Sequence, residues 1–261
     1  LQRLALGLSY RGQGYHGWQS QPDGRTVQDA VEKALTAFAA EPVATVCAGR
    51  TDSGVHALNQ VVHIDTALER DAFSWVRGSN RYLPRDVAVQ WCRPVAAAFH
   101  ARNSARGRRY RFVVLESATR PALEHGLVGW VFRPLDAGAM QSAAGRLIGE
   151  HDFSSFRAAG CQSPTPVKTL RGLDISRRGP YWRFDFDANA FLHHMVRNLM
   201  GCLLAVGSGR RRPEWVAEVL AARSRDAAAP TFPPEGLYFL GPYYDAAHAI
   251  PQHTAAMDWI V

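Results

Sequence analysis

The chain has 261 residues, 47% of them hydrophobic, and a formal net charge of +7, enough apolar material for one large core or two ordinary ones. No apolar run approaches the ~20 residues of a membrane span, and the opening LQRLALGLSYRG holds too short an apolar stretch for a secretory signal, so a soluble cytoplasmic protein is expected. The scattered Cys47, Cys92, Cys161 and Cys202 offer neither a Cys-x-x-Cys metal spacing nor a disulfide framework and read as reduced packing residues.

Taken in chain order, Leu4–Ser9 reads as a strand. Thr26 is placed to cap a helix whose Val27, Ala30, Val31, Ala34, Leu35 and Phe38 recur at helical spacing, and Pro42 closes it off. Strand-like Val43–Arg50 and Gln60–Asp65 follow, then a helix from Asp71 to Tyr82 and a strand at Val87–Arg93. The order is β-α-β-β-α-β. After Phe99 it starts again, with a strand at Arg108–Leu115 and a helix at Asp136–Gly149 that turns Met140, Ala143, Ala144, Leu147 and Ile148 inward. A hairpin of Val167–Ile175 and Tyr181–Asp187 folds around RRGP, and a helix at Phe191–Val206, a short helix from Pro213 and a last strand in GLYFLGPYY complete the chain.

The expected fold class is therefore α+β: two ferredoxin-like halves, each β-α-β-β-α-β, whose mostly antiparallel sheets flank a central cleft. The seam falls between Phe99 and Arg106, giving domains at 1–104 and 105–247 and a tail at 248–261 to which no role is assigned.

All but Lys33 and Lys168 of the 30 basic residues are arginine, and their clustering says more than their number. Arg102, Arg106, Arg108, Arg109 and Arg111 lie close together, and Arg210, Arg211 and Arg212 form a later run. Clustered cations gain affinity by releasing counterions from phosphates, so nucleic acid is the expected partner.

Two residues stand out against this frame. In AGRTDSGVHALNQ, Asp52 sits in a loop of small residues, with Gly49 and Gly54 allowing sharp turns. Such an Asp also suits a turn that accepts its own backbone N–H. In FLHHMVRNLMGCLLAV, however, Arg197 lies inside an apolar helical pattern, where a guanidinium withdrawn from water requires an anion. A carboxylate from the other half, Asp52, would satisfy it.

GRTDSGVHALNQVVH, RRYRF, FLHHMVRNLMG and PPEGLYF resemble, in order and spacing, the signature segments of the TruA family of tRNA pseudouridine synthases. The likeness runs from LALGLSYRGQGYHGWQSQP to about Tyr244. It implies an isomerase that converts uridine to pseudouridine at positions 38, 39 and 40 in the anticodon arm of tRNA, acting as a homodimer without cofactor or metal. Asp52 matches the family's catalytic Asp and Tyr110 its active-site Tyr, with Arg197 as the partner of the carboxylate. The chemistry breaks the bond from C1′ to N1 and joins C1′ to C5, which calls for an anionic oxygen and no redox group. Attack at C1′, addition at C6 and proton abstraction to a glycal all use that same carboxylate. A ring at Tyr110 suits stacking on an extruded uracil, worth ~1–3 kcal/mol.

Arg50, Arg106, Arg108 and Arg109 are candidate phosphate contacts, and His194 touches RNA by family analogy. His193 and His194, adjacent on the expected helix, point about 100° apart and lack the i, i+4 spacing of a helical zinc pair, while His56 and His63 read as structural. Two other classes remain open: a non-catalytic RNA-binding protein of split βαβ fold, and a hydrolase with Asp52 as nucleophile.

Overall fold

A computed structural model describes residues 1–252; the later part of the segment 248–261 lies outside the described residues. The architecture is α+β, with ten strands and five α-helices among them. Among the described residues two compact units are formed, one from Leu1–Gly107 with residues 238–252, the other from Arg108–Leu237. The chain leaves the first unit within one strand and re-enters it within another.

In the first unit, β1 (Gln2–Tyr10) lies between β3 (His56–Thr66) and β4 (Val87–Val95), antiparallel to both. The two-residue β2 (Val46–Cys47) pairs with β3, and β10 (Leu237–Tyr244) pairs with β3 in parallel. The alternation of β1 sends Leu4, Leu6 and Leu8 to one face, all fully buried, and Ala5 to the other. On the second face Ala5 joins Ala48, Val61, Phe99, Ala101 and Tyr244 in a core against which Trp91 and Ile250 pack. A Cβ on Gly7 would lie 2.0 Å from Trp91 Nε1, so only glycine admits that indole. The opening of the tail is anchored as well: Asn59 Nδ2 donates to the Pro251 carbonyl.

Helices α1 (Val27–Ala39) and α2 (Ala72–Tyr82) pack on one another, with Phe38 edge-on to Trp75 at 5.1 Å. Thr26 caps α1 as expected, its Oγ1 accepting from Asp29 N at 3.2 Å, and Asp71 caps α2 in the same way through Ser74 N at 2.9 Å. The expected strand Val43–Arg50 shrinks to two residues for a local reason. Its backbone N–H groups are taken by α1 side chains, Val43 N by Thr36 Oγ1 at 3.0 Å and Thr45 N by Glu32 Oε1 at 2.8 Å. β3 instead starts at His56, four residues before the sequence pattern suggests.

In the second unit, β5 (Ala105–Glu116) continues into antiparallel pairing with β9 (Tyr181–Ala188), which pairs with β8 (Val167–Arg178), and β8 with β7 (Gly149–Asp152). β6 (Gly129–Val131) adds to β5 in parallel. The helices are α3 (Ala137–Gly145), α4 (Met195–Gly207) and α5 (Trp215–Ala222). The sequence pattern misses β6 and β7, which are short and carry no strict alternation. α3 ends four residues early, before the positive-φ Gly149, and Ile148 is thereby 39% exposed instead of inward. The last strand, expected in the second half, pairs with β3 of the first unit, because the chain after Gly236 (φ 86) turns back into it.

Candidate active site

The loop from Ala48 to Val55 is held from several directions. Ala48 N donates to Val61 O at 2.8 Å, and Gln60 Nε2 donates to the Gly49 carbonyl. Thr51, buried next to Asp52, shares a 2.7 Å hydrogen bond with the Tyr10 hydroxyl, and its carbonyl accepts from Trp18 N at 3.0 Å. Beyond Asp52, Val55 N returns to the Asp52 carbonyl at 3.1 Å in a turn that uses Gly54 at φ 81. Tyr15 O accepts from both Gly54 N and Ser53 Oγ. The segment Gly12–Trp18 therefore lies directly on the loop: a Cβ on Gly17 would sit 2.8 Å from Thr51 O, and one on Gly12 would sit 1.9 Å from Val55 O.

The backbone around Asp52 is thus fixed at its neighbours while the residue itself stays half-buried. Sharp placement of a carboxylate on a rigid loop is what a reacting group needs. Burial drives the Tyr10 phenol well above its ordinary value, offset in part by its hydrogen bonds to Thr51 and Gln60, so it remains a neutral structural partner. His56 is structural as expected, its Nδ1 accepting from Gly12 N at 3.0 Å and its ring stacked on Tyr238 at 4.7 Å. His63 is likewise buried, its Nδ1 accepting from Ala101 N at 3.1 Å. Arg50 is exposed on the same loop. Arg106 bonds both Asp245 oxygens through Nε, with Nη2 reaching Oδ2 at 2.7 Å, so much of its fork is spent within the protein.

In the second unit, Tyr110 lies on β5 opposite Phe186, half-buried, with its ring edge-on to Phe191 at 5.1 Å. That contact brings the Tyr110 strand against the segment carrying His194 and Arg197. Arg108 Nη1 reaches the Asn189 carbonyl at 3.2 Å, Arg109 is half-buried, and Arg111 forms a paired contact with its cross-strand neighbour Asp185. Hence Arg111, counted above as part of a basic cluster, is neutralised in the sheet.

Helix α4 begins later than the hydrophobic pattern indicates. His194 occupies its N-cap in the left-handed region, φ 61, which ends the helical continuation toward Phe191. The two histidines accordingly precede the helix instead of riding on it, and their rings lie 4.0 Å apart. Arg197 is only half-buried. Its Nε donates to the Phe232 carbonyl at 2.9 Å while Phe232 N donates to the Arg197 carbonyl at 3.1 Å. Phe232 also packs edge-on to Phe112 of β5 at 5.4 Å, so one residue ties the Arg197 helix to the Tyr110 strand.

Two features escaped the sequence reading. Glu235, the carboxylate of PPEGLYF, keeps its Oε2 shielded from solvent. Cys161 differs from the other cysteines in being half-buried in a polar setting. Burial raises its thiol, but backbone N–H donors of Ser163 and His193 together with the Arg157 guanidinium outweigh that and bring it below the ordinary value. Only the polar residues scattered through FRAAGCQSPTP hint at the setting of Cys161.

A family model described as tRNA pseudouridine synthase matches residues 8–103 and 143–245, a span that takes in the Asp52 loop, α4 and β10. The chain belongs to the tRNA pseudouridine synthase family, whose members are isomerases. Among curated relatives called tRNA pseudouridine synthase A, it is 72% identical over 258 residues to that of Methylibium petroleiphilum, with 99% of each chain covered. Those of Polaromonas naphthalenivorans and Polaromonas sp. strain JS666 are 63% and 62% identical over 262 residues, again with 99% coverage of both chains.

Proposed function

We propose that this chain isomerises uridine to pseudouridine in tRNA, at positions 38, 39 and 40 of the anticodon stem-loop, acting in the cytoplasm as a homodimer without a cofactor. Its fold is read as a pair of ferredoxin-like halves. The observation that carries the proposal is the Asp52 loop: a single half-buried carboxylate whose flanking backbone is pinned by Tyr10, Trp18, Tyr15 and Gln60.

The reaction needs such a group. The bond from C1′ to N1 breaks, the uracil turns, C1′ joins C5, N1 ends protonated and the proton on C5 is lost, so nothing is oxidised or reduced. Asp52 supplies the anionic oxygen at the ribose and base, and Arg197 balances its charge. Tyr110 stacks on the extruded base, which repays part of the few kcal/mol spent in unstacking it. His194, Arg50, Arg106, Arg108 and Arg109 bind the RNA; Arg106 is the weakest of these because Asp245 competes for it. Incubation with uracil-labelled tRNA tests the reading. Label recovered in pseudouridine is the expected result, whereas released uracil indicates a hydrolase and unchanged uridine indicates a binding protein.

A further inference from the structure

We propose that the outer face of α2 and the loop that follows it form a second binding track for the phosphate backbone of the tRNA, carried by Arg77, Arg81 and Arg85. The proposal rests on the reading of the chain as a tRNA-modifying enzyme, and adds a surface that none of the signature segments contains.

Helix α2 buries Trp75 and Ser79 and turns Phe73, Arg77, Arg81 and Tyr82 to solvent. Arg77 and Arg81 are one turn apart, about 6 Å along the helix, so both guanidinium groups serve one strip of surface. Arg85, also exposed, extends the strip past the helix end. None of the three has a carboxylate partner among the described residues; the acids nearby are engaged elsewhere, Asp71 with Ser74 and Asp86 with the Tyr15 hydroxyl. Arg77 is steadied by the Phe73 ring, with its guanidinium carbon 5.6 Å from the ring centre. Three cations in a row with no carboxylate partner repel one another, whereas a polyanion relieves all three.

Position within the first unit selects RNA as that polyanion. Tyr10 at the end of β1 pairs with Ala57 on one side and Val87 on the other. The residues preceding β3, which include Asp52, and those preceding β4, which include Arg85, therefore emerge at the same end of the sheet. Tyr15 links them directly: its hydroxyl donates to Asp86 at 2.6 Å while its carbonyl holds Ser53 and Gly54. The cationic strip thus starts at the sheet end that carries the Asp52 loop and leads away from it along α2, a path open to the RNA flanking a nucleotide held at Asp52.

The test is the triple substitution Arg77→Gln, Arg81→Gln, Arg85→Gln, which keeps helix propensity, assayed by fluorescence titration with full-length tRNA at several salt concentrations. The expected result is a slope of log K against log salt shallower by ~2–3, from three phosphates at ~0.7–0.9 each, with Kd raised roughly tenfold at low salt. Turnover at saturating tRNA falls by less than about twofold. The corresponding triple lysine variant keeps the slope, since the slope counts charges. An unchanged slope and Kd in the glutamine variant overturns the proposal. So does a change confined to the monomer–dimer equilibrium in sedimentation, which assigns the face to contacts between copies of the chain. Failure of the wild type to form pseudouridine sinks the functional reading instead, and is seen before any variant is made.

Discussion

The hydroxyl of Tyr10, at the end of β1, bonds the side chain of Thr51, the residue immediately before Asp52, at 2.7 Å in a buried setting. A strand in the middle of a sheet is among the least mobile parts of a protein, and this bond extends that rigidity to the Asp52 loop. Tyr10→Phe leaves Thr51 Oγ1 buried without this partner and is expected to cost ~1–2 kcal/mol. Urea unfolding measures that loss, and kcat is expected to fall further than KM changes. Unaltered kcat in a destabilised variant shows that the bond serves only the fold.

Asp52→Asn preserves size and most hydrogen bonding while removing the anion. Affinity for tRNA is expected to stay within a few-fold of wild type, and pseudouridine formation to drop by orders of magnitude. Substantial turnover by the Asn variant removes Asp52 from the reaction.

Arg197→Ala deletes the donor to the Phe232 carbonyl and is expected to cost about 2 kcal/mol, because a hydrogen bond from a charged group is lost. Turnover is expected to fall by more than that destabilisation explains at a temperature where the variant is fully folded. Arg197→Lys retains charge without the planar fork; recovery of stability without recovery of rate marks the fork as the needed feature.

Tyr110→Leu and the double variant Arg108→Ala, Arg109→Ala separate base from backbone. The first is expected to lower turnover and spare the salt dependence of binding. The second is expected to flatten that dependence by up to ~2 and weaken all tRNAs alike, since phosphate contacts carry no direct sequence information. Equal salt slopes in the double variant and the wild type make those arginines ordinary surface groups.

His63 gives the protein a pH-dependent stability. Burial, with Arg3 and His100 nearby, lowers its imidazole to about 4, against an ordinary value near 6.5. Between those values the unfolded chain binds a proton that the native state refuses, so stability is lost as pH falls from about 6.5 to about 4. Unfolding midpoints taken across this window check it. His63→Asn keeps an acceptor for Ala101 N and is expected to flatten the dependence.

Much of the molecule follows from local rules visible in the residues. Thr26 as a cap, the apolar spacing of α1 and the RRGP hairpin specify elements that depend on near neighbours, so their positions are readable in the sequence. The loop GRTDSGVHA by itself also suits a simple turn; Asp52 stands out once Arg197 in the apolar pattern of FLHHMVRN calls for an anion and the segments together resemble a family signature. What escaped depends on groups far apart in the chain. β2 loses its ladder to the side chains of Glu32 and Thr36, and α4 starts at Met195 because His194 takes a left-handed turn that no hydrophobic period records. Arg106 and Arg111 read as free cations until the fold supplies Asp245 and Asp185. Composition and spacing name the charges and the periods. Which charges are spent inside the protein, and which backbone groups find a helix side chain before a strand, is decided when distant segments compete for the same hydrogen bonds.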